Sequence, residues 1–186
     1  RFDRARWISL DFDGVLSTLV LGRTWEKTRD KARPGLLGSP LVRGFKTFFA
    51  SLTEWSRKPL PQAEGVLRQL RSSQKTLCVL TSRTGERITA AERWLDKYAW
   101  DDMFDQLFFN TESEDADKFK AKILRTYPID IHIDDDPETL SHLSRLFPEK
   151  VFVHMDVYRR KIPEGDNIVV VRTWDEIAGL FSTGSG

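Results

Sequence analysis

The sequence predicts an α/β fold in which a parallel β-sheet is covered by helices on both faces and carries a short, mostly helical insertion after its first strand. Three observations support this prediction. From residue 59 onward, short apolar runs of strand length alternate with longer amphipathic segments, as in right-handed β-α-β units. Residues 17–58 break the alternation and are rich in Gly, Pro and basic side chains. The chain has 186 residues, which is enough for one domain with a full core.

The individual elements follow from this alternation. The first strand is an apolar run that leads to Asp11, and Gly14 then allows the backbone to turn. Pro61 suits the first turn of the helix that follows the insertion. Strands are predicted at 7–12, 76–80, 106–109, 129–133, 151–154 and 168–171, and helices at 62–72, 86–98, 115–127, 138–147 and 174–181.

The insertion separates two parts of one predicted core, formed by residues 1–16 and 59–181, and residues 182–186 are expected to form a flexible tail. One helix face is predicted within the insertion from apolar residues at helical spacing: Leu41, Phe45, Phe48, Phe49, Leu52 and Trp55. The insertion holds nine basic residues and three acids, a net charge of +6, whereas the whole chain carries only +1. Such asymmetry is typical of a surface that meets an anionic partner, although a solvated basic surface is the alternative.

Composition excludes several classes of protein. The single cysteine, Cys78, cannot form an internal disulfide and excludes a cysteine-based zinc cluster. No apolar run approaches the roughly 18–20 residues that span a bilayer, and no secretory signal is visible. We therefore expect a cytoplasmic protein.

Polar side chains collect where three predicted strands end. Because the carboxyl ends of parallel strands share one edge of the sheet, these residues are expected to be neighbours: Asp11 and Asp13, Thr81 and Ser82, and Asp134, Asp135 and Asp136. Like charges raise each other's pKa, so five carboxylates in a small volume need a cation. Oxygen ligands favour Mg²⁺.

The same set could act on a phosphate group. An aspartate beside Mg²⁺ can attack phosphorus and form an aspartyl-phosphate, and Asp13 could then move the proton. Thr81, Ser82 and a lysine would hold the phosphate oxygens. Lys118 is the predicted lysine, while Lys120 and Lys122 are alternatives on the same helix.

These residues resemble the haloacid dehalogenase superfamily. Asp11-Phe12-Asp13-Gly14-Val15-Leu16 is similar to its first motif, Leu77–Thr81 to its second, Lys118 to its third and Ile133-Asp134-Asp135-Asp136-Pro137 to its fourth. The match extends from about Trp7 to Leu140. It implies a Rossmann-like three-layer α/β/α core with Mg²⁺, in which residues 17–58 occupy the position of the substrate-selecting cap.

The resemblance also implies roles for single residues. Asp11 would be the nucleophile and a metal ligand, and Asp13 the general acid/base, with its backbone carbonyl on the metal. The fourth motif looks like the Ile-Asp-Asp form of nucleotidase-like members, which makes Asp135 the expected ligand and Asp134 the alternative. Asp136 is expected instead to cap the following helix.

The leading functional hypothesis is therefore a Mg²⁺-dependent phosphomonoester hydrolase. The second acid is a feature of phosphatases and phosphomutases of the superfamily, so a phosphomutase is the first alternative. The basic insertion suggests a nucleotide or a nucleic-acid phosphate terminus as substrate, with a small phosphorylated metabolite equally open. A non-catalytic phosphate- or nucleic-acid-binding module is a further alternative. A receiver module is disfavoured, because its lysine follows all of its acids and here an acidic cluster follows the lysine.

Overall fold

The protein is described by a computed structural model that covers residues 2–18, 56–159 and 161–182. Its centre is a six-stranded sheet in which all neighbouring strands are parallel, in the order β3-β2-β1-β4-β5-β6. The strands are β1 (Trp7–Leu10), β2 (Thr76–Thr81), β3 (Gln106–Phe109), β4 (Ile131–Asp134), β5 (Val151–Met155) and β6 (Ile168–Val171). The predicted α/β class and parallel sheet are confirmed, and the chain reverses its direction of travel across the sheet between β3 and β4.

Helices cover both faces of this sheet. They are α1 (Ala63–Ser72), α2 (Glu86–Lys97), α3 (Ala116–Thr126), α4 (Pro137–Leu146) and α5 (Trp174–Ser182), and a short 3₁₀ helix spans Asp101–Met103. Apolar side chains of α1, α2 and α5 share one core, while those of α3 and α4 share the other. The three-layer arrangement implied by the sequence is therefore present.

Strand alternation assigns successive side chains to opposite layers. On β2, Leu77 and Val79 belong to the core of α1, α2 and α5, whereas Cys78 and Leu80 belong to the core of α3 and α4. On β4, the two isoleucines pack into the first core. The alternate residues of β4 are polar and buried, and they face α3.

The two ends of the insertion lie side by side. The backbone N–H of Thr18 donates to the Lys58 carbonyl at 2.9 Å, and the N–H of Leu60 donates to the Leu16 carbonyl at 2.9 Å. The chain therefore leaves and re-enters the core at one place, next to the end of β1. The predicted insertion helix lies outside the described residues, and the division into a core and a cap at 17–58 stays a prediction.

At the other end of the chain, α5 ends at Ser182, and residues 183–186 of the predicted tail are outside the described part. Trp174 connects α5 to the turn that follows β1, because its indole N–H donates to the carbonyl of Val15 at 2.9 Å. No helix in the described ranges combines the length and apolar character needed to cross a bilayer.

Candidate active site

The turn after β1 places two aspartates at the carboxyl edge of the sheet. Asp11 follows the last residue of β1, and its N–H donates to the Ile133 carbonyl of β4 at 2.8 Å. Gly14 has a positive φ of 78°, a conformation that costs a residue with a side chain more than glycine. The chain then folds back, since the Gly14 N–H donates to the carbonyl of Ser17 at 2.9 Å. Both Asp11 and Asp13 are buried as a result.

Three buried carboxylates meet at this edge. Oxygen atoms of Asp11, Asp134 and Asp135 lie within 4.8 Å of one another, which is close enough to share one cation. Asp134 is the last residue of β4, and Asp135 follows it. A Cβ on residue 14 would lie 2.5 Å from the Asp135 carboxyl carbon, so glycine is required for this close approach. The predicted convergence of the first and fourth motifs is therefore present.

Lys120 is the lysine that reaches this cluster. Its Nζ lies 2.6 Å from Oδ2 of Asp134 and 3.2 Å from Oδ1 of Asp11, and its side chain is 4% exposed. Lys118, the lysine that the sequence analysis placed in the site, is exposed, and Lys120, one of its two alternatives, is the lysine that contacts the cluster. Lys122 is also exposed, and it pairs with Glu112 at 3.2 Å.

The helical phase explains why Lys120 enters the site. The residues of α3 that face the core are Phe119, Lys120, Ala121 and Leu124, and Lys120 precedes Leu124 by one helical turn. Lys118 precedes Lys120 by two positions, which turns it by about 200° around the helix axis. The apolar pattern of α3 is the signal in the sequence that could have indicated Lys120.

The charges of the cluster stabilise one another. Burial alone would lower the pKa of Lys120, but the neighbouring Asp11 and Asp134 carboxylates raise it above its ordinary value. Burial alone would raise the pKa of Asp134, but the charge of Lys120 and the hydrogen bond from His132 hold it well below its usual range. Lys120 is therefore an ammonium ion and Asp134 a carboxylate at neutral pH.

Ser9 and His132 form a buried chain of hydrogen bonds that ends at the Asp134 carboxylate. Nε2 of His132 lies 3.2 Å from Asp134 Oδ2, and Nδ1 lies 2.9 Å from the hydroxyl of Ser9. Because an ionised carboxylate only accepts hydrogen bonds, Nε2 of His132 carries the proton. The backbone N–H of Asp136 donates to the second Asp134 oxygen at 3.0 Å. The carboxylate is thus held on several sides.

Asp136 itself serves the following helix. Its side chain accepts hydrogen bonds from the N–H groups of Glu138 and Thr139 at the start of α4, and Pro137 occupies the first turn. The predicted helix cap is confirmed, and this separates Asp136 from Asp134 and Asp135, the two acids of the same motif that belong to the cluster.

Asp13 has different neighbours from Asp11. Its carboxylate contacts three arginines, Arg57, Arg83 and Arg87, which we call the arginine cluster. Burial alone would raise the pKa of Asp13, but the hydrogen bonds and charge of Arg83, followed by the charges of the other two, hold it well below its usual range. Asp13 is therefore a carboxylate in this arrangement. The sequence analysis did not include these three arginines among the candidate site residues.

Thr81 and Ser82 lie at the carboxyl end of β2, which is adjacent to β1. Leu10 is paired with Val79, so Thr81 extends two residues past that pair, on the same edge as Asp11. Thr81 is buried and Ser82 is half-buried. Both lie where the sequence analysis expected them, and their phosphate-binding role stays a prediction.

Solved structures share this fold over nearly the whole chain. A haloacid dehalogenase-like hydrolase from Streptococcus pneumoniae is 16% identical, with a TM-score of 0.66, and the match covers 96% of this chain and 99% of that one. A predicted phosphatase from Clostridium acetobutylicum is 15% identical, with a TM-score of 0.64 and 95% and 97% coverage. A protein from Bacillus subtilis described as a HAD hydrolase, solved with bound magnesium, is 12% identical, with a TM-score of 0.60 and 96% and 99% coverage.

Sequence comparison adds nothing to these matches, since no protein-family model and no curated protein matches the chain. At identities of this size, similarity to solved structures establishes the fold. The Rossmann-like architecture that the four motifs implied is confirmed by it.

Proposed function

We propose that this chain, which has the fold of the haloacid dehalogenase-like hydrolases, is a Mg²⁺-dependent phosphomonoester hydrolase that works through an aspartyl-phosphate. The observation that carries the proposal is the buried cluster of Asp11, Asp134 and Asp135 with Lys120 beside it. A nucleophile, a set of carboxylates that fits a cation and a positive side chain then lie at one sheet edge, as phosphoryl transfer requires.

The residues of this cluster fit a magnesium ion. Carboxylate oxygens are the ligands Mg²⁺ prefers, and three of them lie within reach of one position. Asp11 and Asp135 would hold the ion, with Asp134 as the alternative ligand and the backbone carbonyl of Asp13 as a further one. A bound ion would neutralise charge between the nucleophile and the phosphate and polarise a phosphoryl oxygen.

In the proposed reaction the side chains act in sequence. A carboxylate oxygen of Asp11 attacks phosphorus, an O–P bond forms, and the bond from phosphorus to the leaving oxygen breaks. Lys120, held against Asp11 and Asp134, places positive charge beside the transferring group, and Thr81 and Ser82 would donate hydrogen bonds to its oxygens. Water then cleaves the aspartyl-phosphate, which releases inorganic phosphate and restores the Asp11 carboxylate.

Asp13 is the proposed proton carrier, and its position two residues past the nucleophile suits that task. As a carboxylate it is ready to take a proton from the attacking water in the second half of the reaction. To give a proton to the leaving oxygen in the first half, it must first be protonated. The arginine cluster opposes that protonation in the arrangement described here.

The test is hydrolysis of p-nitrophenyl phosphate and of a panel of phosphomonoesters with and without Mg²⁺, followed by product analysis. Asp11→Asn should abolish turnover, because an amide is a poor nucleophile. Asp96→Asn removes the same charge from an exposed position on α2 and should leave turnover unchanged.

Turnover that is untouched by Asp11→Asn, or an absence of turnover on every ester, would contradict the proposal. Isomerisation of a sugar phosphate with little phosphate release would instead identify a mutase. The panel should include nucleotides and 3′- or 5′-phosphorylated oligonucleotides, because the insertion carries a net charge of +6.

A further inference from the structure

The arginine cluster converges on a single carboxylate. Asp13 Oδ1 accepts hydrogen bonds from Arg57 Nη1 and from Arg83 Nη2, the latter at 2.8 Å. Asp13 Oδ2 accepts from Arg83 Nε at 3.1 Å and from Arg87 Nη2 at 3.4 Å. These four bonds fill the acceptor capacity of a carboxylate, which has about four lone-pair sites. Three guanidinium groups that converge on one carboxylate form the kind of charged donor array that binds carboxylates and phosphates.

Arg57 comes from the end of the insertion, whereas Arg83 and Arg87 come from the connection between β2 and α2 and from the first turn of α2. Arg57 lies where the insertion returns, and its backbone carbonyl accepts hydrogen bonds from Trp94 Nε1 at 3.1 Å and Tyr98 Oη at 3.0 Å. Arg83 follows the end of β2, and its guanidinium lies 4.3 Å from the ring centroid of Phe12. The convergence is thus held by contacts with the core and the base of the insertion.

Arg87 connects the cluster to the surface. Its side chain is 45% exposed, whereas those of Arg57 and Arg83 are 7% and 1% exposed. Arg87 is in the first turn of α2, where the helix dipole disfavours a cation and favours an anion. An anion bound there would be stabilised by the helix end and by the guanidinium together.

The distance to the proposed nucleophile limits the size of the ligand. The Cα atoms of residues 11 and 13 can be at most about 7 Å apart in an extended chain. An anion that binds the arginine cluster would thus lie only a few bonds from a phosphate placed at Asp11. The net charge of +6 on residues 17–58, which include Arg57, also favours an anionic substrate.

We propose that the arginine cluster recognises a second anionic group of the substrate, a phosphate or a carboxylate attached near the phosphate that is hydrolysed. Asp13 occupies the cluster when this group is absent and exchanges with it on binding. The inference rests on the proposed function, and it narrows the substrate class to small phosphomonoesters that carry two anionic groups.

Two pairs of substrates test this proposal on the Mg²⁺-loaded full chain, at constant free Mg²⁺. Glycerol 3-phosphate and 3-phosphoglycerate differ by a carboxylate, and adenosine 5′-monophosphate and adenosine 3′,5′-bisphosphate differ by a phosphate. In at least one pair, kcat/KM should be about tenfold or more higher for the doubly anionic member, as expected for a charge-assisted hydrogen bond. The pair that shows the preference identifies the anion.

The variants report on the cluster itself. Arg87→Gln should lower the kcat/KM ratio of the doubly to the singly anionic substrate about tenfold. Arg83→Lys should also lower this ratio, because lysine lacks the planar guanidinium that donates two parallel hydrogen bonds. Arg93→Gln removes the same charge from an exposed position on α2 and should keep the preference.

The results that would contradict recognition of a second anion differ from those that would contradict the proposed phosphatase function. Turnover of p-nitrophenyl phosphate with equal kcat/KM within both pairs, or a preference unchanged in Arg87→Gln, overturns the inference alone. Where no ester is hydrolysed, calorimetric titration of Asp11→Asn with the same pairs decides the point. The inference is then overturned if Asp11→Asn and the double variant Asp11→Asn/Arg87→Gln each bind the singly and doubly anionic members with equal affinity.

Discussion

Replacement of Lys120 by methionine tests both the stability of the buried cluster and the assignment of the lysine. At an effective dielectric constant of about 20, the 2.6 Å contact with Asp134 corresponds to roughly 6 kcal/mol of Coulomb attraction, and the 3.2 Å contact with Asp11 to roughly 5 kcal/mol. Desolvation of the buried ammonium offsets several kcal/mol of this gain. Methionine keeps the apolar stem but leaves two buried carboxylates without the ammonium.

We therefore expect Lys120→Met to lower the free energy of unfolding of the metal-free protein by about 3–5 kcal/mol. For a chain of this size, that loss corresponds to a fall in Tm of roughly 10 °C. The assay is urea unfolding in EDTA, repeated in Mg²⁺. The deficit should shrink in Mg²⁺, because a cation bound by the carboxylates replaces part of the lost charge. It should also shrink at low pH, where the carboxylates become protonated.

Lys118→Met is the matched control. It makes the same change two residues earlier on α3, at an exposed position, and should alter the free energy of unfolding by no more than about 0.5 kcal/mol. Phosphatase activity should fall in Lys120→Met and persist in Lys118→Met. The reasoning is refuted if the two variants lower the free energy of unfolding by the same amount, or if Lys120→Met alters neither this free energy nor its response to Mg²⁺.

Three further predictions concern other parts of the core. Gly14→Ala should weaken Mg²⁺ binding in a calorimetric titration and cost about 1–2 kcal/mol in left-handed strain alone, because its Cβ would overlap the Asp135 carboxyl group; unchanged affinity would contradict this. In EDTA, the free energy of unfolding should fall as the pH drops below about 4, since the pKa values of Asp13 and Asp134 are lowered on folding and their contribution is lost on protonation; a flat acid limb in pH-dependent urea unfolding would argue against it. Burial raises the pKa of Cys78 to about 12, so Ellman's reagent should modify the folded protein only as it unfolds, and fast labelling without denaturant would show that the thiol is accessible.

Much of this molecule was predictable because its signals are local. Strand-length apolar runs, amphipathic helices and strand ends that carry polar residues indicated the parallel sheet and the edge at which chemistry collects. Asp136 before Pro137 predicted the cap of α4, and the hydrogen bonds from the first turn confirm it. Asp11, Asp134 and Asp135 could be predicted as neighbours because strand carboxyl ends must meet at one edge of a parallel sheet.

Tertiary structure decided which charges pair. Three lysines alternate along α3, and only the phase of the helix against the sheet buries Lys120 and exposes Lys118. The arginine cluster brings Arg57 together with Arg83 and Arg87, which are distant from it in sequence, so neither Arg57 nor Arg87 had a motif to mark it. Side-chain type and spacing determine the chemistry available at the sheet edge. Packing decides which groups lose water together, and loss of water makes a pairing between charges strong enough to set their roles.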